Sequence, residues 1–124
     1  MAHRCRPRIG WQPVCRLEQL QPARGVAALA AGRQIALFRI VEPNGADLIY
    51  AIDNIDPCSG AAVLSRGIVG DRHGEPTVAS PMYKQAFSLR TGHCLDETDK
   101  HVEVHTVRRS GGWIHIKIPD TRTQ

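Results

Sequence analysis

Aromatic residues are scarce, long apolar runs are missing, and no two cysteines sit close together. Aromatics make up 5% of the 124 residues, whereas a nucleic-acid-binding surface calls for basic residues interleaved with exposed aromatics on one face. The net charge of +4 therefore reads as solubility plus a basic tail, and no nucleic-acid partner is expected. No apolar stretch approaches the ~18 residues of a membrane span, so no membrane partner is expected either. Met1 to Arg8 is basic, but no apolar signal core follows it, and the expected compartment is the cytoplasm. Cys5, Cys15, Cys58 and Cys94 form neither a Cys-x-x-Cys pair nor a disulfide framework. The histidines show no zinc-finger spacing. A Gly-x-Gly-x-x-Gly turn, a Ser/His/Asp set in a suitable context and a Cys-rich cluster motif are all absent, so no catalytic residue is assigned.

What is there suits one domain with a single core. It is expected over 11–118, between a basic, mobile tail at 1–10 and a second tail at 119–124. Trp11 to Arg16 alternates well enough for a strand, and Leu17 to Pro22 reads as a turn or a single helical turn ended by Pro22. Val26 to Leu29, Gln34 to Val41 and Asp47 to Asp53 are strands, separated by turns at Ala31-Gly32 and Pro43-Asn-Gly45. Leu64 to Ala79 reads as two short strands joined by the Gly-rich stretch Gly70 to Pro76, and Ala86 to Leu89 as a return strand. Val102 to Val107 and Trp113 to Ile118 both alternate around Ser110-Gly-Gly112 and predict a final hairpin, with Ile114, Ile116 and Ile118 toward the core. That hairpin would bring His105 near His115. His93 and Cys94, adjacent in an extended segment, point to opposite faces and make no dyad. Nine or ten short strands without a long amphipathic helix predict an all-β sandwich or barrel.

Two of these strands run into Pro-containing loops, Asn54-Ile-Asp-Pro-Cys-Ser-Gly60 and Ala79-Ser-Pro-Met-Tyr-Lys-Gln-Ala-Phe-Ser88. The first presents Asp56 and Cys58, the second Ser80 and Tyr83, as the two tips of a clamp. A Rieske-type [2Fe–2S] cluster is held by two thiolates on one iron and two imidazoles on the other. Each loop of such a protein supplies one Cys and one His, as Cys-x-His and Cys-x-x-His. This sequence resembles that pattern in everything except the ligands, and Phe87-Ser-Leu-Arg-Thr-Gly92 is similar to the return strand of Rieske ferredoxins. Asp56, Cys58, Ser80 and Tyr83 stand at the four ligand positions. Cys58 is expected to be a small buried filler, and Asp56 to accept N–H groups of its own loop in an Asx turn. Tyr83 is expected to pack in the loops with its hydroxyl bonded to the opposite loop. No metal is expected.

Asn54-Ile-Asp-Pro57, Val63-Leu-Ser-Arg-Gly-Ile-Val-Gly-Asp71, Gly74-Glu-Pro76 and Val78-Ala-Ser-Pro-Met-Tyr-Lys-Gln85 together resemble the small subunit of assimilatory NAD(P)H-dependent nitrite reductase. The resemblance runs from about Trp11 to Ile118, with Cys58 where a Phe is frequent and Ala86 where a His is frequent. It implies a Rieske-like fold and a large-subunit partner carrying FAD, siroheme and a [4Fe–4S] cluster, which reduces nitrite to ammonium. The small chain would be an accessory subunit with no cofactor, no active site and no directly bound small-molecule substrate. Its docking surface would be the loop tips, with Arg66, Met82, Lys84 and Gln85, and His73 nearby. Two other readings of the scaffold are a stand-alone binding or regulatory module that senses through Cys58, and a ferredoxin with a modified cluster.

Overall fold

The computed structural model describes residues 10–118. Residues 1–9 and 119–124, which hold nearly all of the two expected tails, lie outside the described residues. Among the described residues ten strands make three antiparallel sheets, as the all-β expectation requires. They are β1 (Gly10–Arg16), β2 (Gly25–Ala30), β3 (Arg33–Val41), β4 (Asp47–Asp53), β5 (Ile68–Arg72), β6 (Glu75–Ala79), β7 (Ala86–Ser88), β8 (Val104–His105), β9 (Val107–Ser110) and β10 (Trp113–Ile118). A 3-10 turn at Leu17–Gln19 follows β1 and another at Leu64–Arg66 precedes β5.

The first sheet runs β1-β10-β9, the second β2-β3-β4-β8, and the third β5-β6-β7. The second sheet lies in the middle, and β3 shows why. Ile35 and Leu37 point into a core completed by Ile114 and Ile116 of the first sheet. The alternate residues, Ala36 and Phe38, point into a second core with Val78 and Phe87 of the third sheet. In β4, Ala51 and Ile52 divide the same way. A strand covered on both faces has no polar side, which is why Ile35 to Phe38 is an unbroken apolar run.

Two expectations change. Val102 to Val107 is not one strand of a terminal hairpin. Val104 and His105 pair with Ile52 and Ala51 at the edge of the middle sheet, whereas the hairpin partner of β10 is β9. His105 therefore lies in a different sheet from His115, and its Nε2 sits 2.8 Å from Asp53 Oδ1. A part-buried carboxylate on the neighbouring strand outweighs the alternation that suggested one long strand. The Gly70 to Pro76 stretch is also tighter than expected: only His73 (φ +54°) and Gly74 (φ +85°) turn, and the strands continue to Arg72 and from Glu75. Two successive positive φ values make the sharp reversal that keeps both strands paired to their ends.

Close backbone approaches tie the sheets to the loops. A Cβ at Gly25 would lie 2.2 Å from the Ser65 carbonyl oxygen, and one at Gly67 would lie 2.4 Å from that of Ala79. Only glycine permits both contacts, so the Ser65-Arg66-Gly67 corner is fitted against β2 and against the entry to the second loop.

Candidate functional site

The first loop starts where β4 ends. Asn54, 3% exposed, closes it: its Oδ1 accepts the Ser65 N–H at 2.7 Å and its Nδ2 donates to the Ala62 carbonyl at 3.4 Å. Sequence reasoning did not single out this residue for the role, although a short amide at the mouth of a turn-rich loop is a usable signal. Inside the clasp, Asp56 N–H donates to Ala61 O at 2.8 Å, and Gly60 N–H donates to Asp56 O at 2.7 Å.

The second loop repeats this pattern. Ser80 N–H donates to Gln85 O at 2.9 Å, and Lys84 N–H to Ser80 O at 2.8 Å. Gly60 (φ +79°) and Lys84 (φ +65°) occupy the equivalent left-handed position. In each loop the first side chain accepts the N–H two residues on: Asp56 Oδ1 from Cys58 at 2.8 Å, and Ser80 Oγ from Met82 at 3.1 Å. The expected Asx turn is therefore present. The two loops are locally equivalent, with Asp56 opposite Ser80 and Cys58 opposite Met82.

They meet at one bond. The Ser80 hydroxyl donates to Asp56 Oδ2 at 2.6 Å, and both residues are buried, at 1% and 0% exposure. The two positions where the resemblance expects thiolates are thus joined by a direct, short hydrogen bond to a carboxylate. Every acceptor and donor in the pair is used: one carboxylate oxygen takes a backbone N–H, the other the hydroxyl, and the hydroxyl oxygen takes a second N–H.

The other two positions differ from expectation. Tyr83 is 59% exposed and its hydroxyl has no hydrogen-bond partner among the described residues, so it neither packs inside nor bridges the loops. The left-handed turn at Lys84 leaves the tip of the loop outside the polar pair. Cys58 is half-buried rather than buried, resting against the second core. Burial raises its thiol pKa above the ordinary value, and the Asp56 and Glu97 carboxylates raise it further. A protonated thiol is a poor nucleophile and a poor metal ligand.

These residues do not fit a [2Fe–2S] cluster. It needs two thiolates and two imidazoles; the site offers one protonated thiol, an exposed phenol and an aspartate and serine already bonded to each other. No group of three or more His, Cys, Asp or Glu side chains is arranged to hold a metal among the described residues.

The surface residues divide. Arg66 and Lys84 are exposed and Met82 is 50% exposed. Gln85 is half-buried: its amide donates to Glu97, and its Oε1 has no hydrogen-bond partner among the described residues. His73 is not near the loop tips: it turns the β5–β6 hairpin at the end remote from Ser80, roughly 15–20 Å along the strands at ~3.3 Å per residue. Ile68, 77% exposed and paired with Ala79 beside the second loop, belongs to the surface and was missed. An apolar residue in a period-two strand reads as core unless the strand is known to be an edge.

The exit of the second loop is held by Asp96, whose Oδ2 accepts the Ala86 N–H at 2.8 Å while Oδ1 meets Arg72 at 3.1 Å. The backbone N–H, then the guanidinium, hold the Asp96 carboxyl below its usual pKa. A carboxylate with a lowered folded pKa stabilises the fold above its unfolded pKa, about 4, and that contribution is lost as pH falls through the folded value. Asp96→Asn is therefore expected to be less stable than wild type at pH 7, with the gap closing below about pH 4. Urea unfolding at both pH values checks it; a gap that widens in acid would contradict the assignment.

Comparisons with known proteins agree with this architecture. The Rieske-like [2Fe-2S] domain family matches residues 10–117. The nitrite reductase (NADH) small subunit of Salmonella typhimurium is 39% identical over 107 residues, which cover 86% of this chain and 96% of that protein. The nitrite reductase [NAD(P)H] large subunit of Klebsiella oxytoca is 41% identical over 110 residues, 89% of this chain but 11% of that one. Among solved structures, a putative NADH-dependent nitrite reductase small subunit from Mycobacterium tuberculosis superposes with a TM-score of 0.80 at 44% identity, covering 90% of this chain and 96% of that one. With its paired loops, three-sheet frame and matched length, the chain belongs to the Rieske-like family of nitrite reductase small subunits.

Proposed function

We propose that this chain is the cluster-free accessory subunit of a cytoplasmic, NAD(P)H-dependent assimilatory nitrite reductase. It binds a large subunit that carries FAD, siroheme and a [4Fe–4S] cluster and that reduces nitrite to ammonium. The chain itself holds no cofactor and performs no step of the reaction. One observation carries the cluster-free part: the Ser80–Asp56 hydrogen bond occupies the two thiolate positions. The partner is supported by the Klebsiella oxytoca large subunit, in which a matching segment is part of the same polypeptide.

The loop tips are the docking surface in this reading. Ile68, Met82 and Tyr83 are exposed apolar residues at and beside the second loop, and Arg66 and Lys84 are exposed cations, a composition suited to a partner contact. An Arg66→Glu/Lys84→Glu protein is expected to lose co-purification with the large subunit; unchanged recovery would remove this patch from the proposal. The purified chain is expected to be colourless, and a visible spectrum with matching iron and sulfide would reject the cluster-free reading. The ferredoxin alternative lacks its ligands. A sensor built on Cys58 is opposed by the raised thiol pKa, and Cys58→Ser is expected to leave nitrite reduction by the assembled enzyme unchanged.

A further inference from the structure

We infer that the outward face of the β1-β10-β9 sheet is a second docking surface, built for a carboxylate-rich patch on the large subunit. This rests on the subunit reading above but uses a different sheet from the loop tips. Ile114 and Ile116 point inward and are fully buried, so Trp113, His115 and Lys117 point outward. Strand register sets Arg16 beside Trp113, Trp11 beside Lys117, and Arg108 beside His115 on that same face. Both tryptophans of the chain therefore lie on one outward sheet face, while the two phenylalanines occupy the core.

Each tryptophan is covered by a cation. The Arg108 guanidinium lies 4.4 Å from the Trp11 ring centroid and Lys117 Nζ 5.6 Å from it. The Arg16 guanidinium lies 5.2 Å from the Trp113 ring. Such contacts hold the cations over the rings. They also pre-order three long side chains that would otherwise lose rotamer freedom on binding. Arg16 meets Glu18 at 3.4 Å, at the margin of the face. Arg108 and Lys117 make no ion pair among the described residues. The face thus presents positive charge with little compensation, on rigid aromatic supports.

That arrangement selects the occupant. Single-stranded nucleic acid would need free aromatic faces on which bases stack, and here a cation occupies a face of each ring. A guanidinium stacked on a ring keeps its N–H edge available for a carboxylate, in the fork geometry that arginine supplies. Trp and Arg are also the residues that most often dominate protein interfaces. An acidic protein surface is the complement of this face.

The test titrates purified large subunit with the intact chain, comparing wild type, Arg108→Glu/Lys117→Glu and the milder Arg108→Gln/Lys117→Gln, with folding verified by circular dichroism. Charge reversal is expected to raise Kd about tenfold or more and to flatten its salt dependence, and the glutamine pair to do so less. A folded reversal variant that binds like wild type overturns the proposal while leaving the subunit reading intact. A wild-type chain that does not bind the large subunit overturns both. Two control arms address other occupants, a short single-stranded oligonucleotide by filter binding and the chain alone by sedimentation. If the reversal abolishes oligonucleotide binding or self-association and leaves large-subunit affinity unchanged, the face belongs to that occupant and the proposal falls.

Discussion

Asp56→Ala is expected to destabilise the protein by about 3 kcal/mol, within the range for breaking a buried, charge-assisted pair. For a domain of this size that corresponds to a fall in Tm of roughly 10–20 °C. The substitution leaves the buried Ser80 hydroxyl and the part-buried Cys58 N–H without an acceptor, because Asp56 takes both at 2.6 and 2.8 Å. Ser80→Ala is expected to cost less, about 1–2 kcal/mol, since the carboxylate keeps its backbone donor. The double variant should cost less than the two single variants together, because both remove one shared bond. Thermal and urea unfolding of the four proteins close the cycle. Strict additivity would mean that the two loops are held together by something other than this bond.

The second large effect is a gain rather than a loss. A quadruple variant, Asp56→Cys, Cys58→His, Ser80→Cys and Tyr83→His, is expected to take up a [2Fe–2S] cluster, about two iron and two sulfide per chain, and become coloured. The loops carry the spacing of Cys-x-His and Cys-x-x-His, and their backbones share one hydrogen-bond pattern. The first residue of each loop already faces its counterpart across 2.6 Å, and Tyr83 lies exposed at the tip of its own. Iron and sulfide analysis with visible circular dichroism reads the result. A folded, colourless quadruple variant would mean that the loops have closed beyond what a cluster allows, and that the likeness to cluster-binding loops ends at the backbone.

Both predictions use residues that were legible beforehand, and the reason is local. Asp56 and Ser80 each accept an N–H two residues on, a turn chemistry set by the short polar side chain itself. The strands β3 and β4 were legible because their apolar runs and the Pro43-Asn-Gly45 turn are continuous in the chain. Tyr83 was misjudged because an aromatic in a loop reads as packed until the left-handed turn at Lys84 is known. Val102 to Val107 was misjudged because alternation says that a segment can be a strand and nothing about which edge it joins. The low aromatic content argued only against a nucleic-acid surface; strand register is what put both tryptophans and three cations on one side of one sheet.

Alternation and turn chemistry, which act over a few residues, indicated the all-β class and the positions of the two loops from the amino-acid order alone, and the resemblance to Rieske loops picked out the four positions without thiolate or imidazole. Only the tertiary structure decided that Asp56 and Ser80, 24 residues apart, bond to each other, and which surfaces carry the exposed apolar and cationic groups. Those outcomes depend on how sheets stack and strands register, which is set by burial across the whole domain and has no counterpart in any short stretch of sequence.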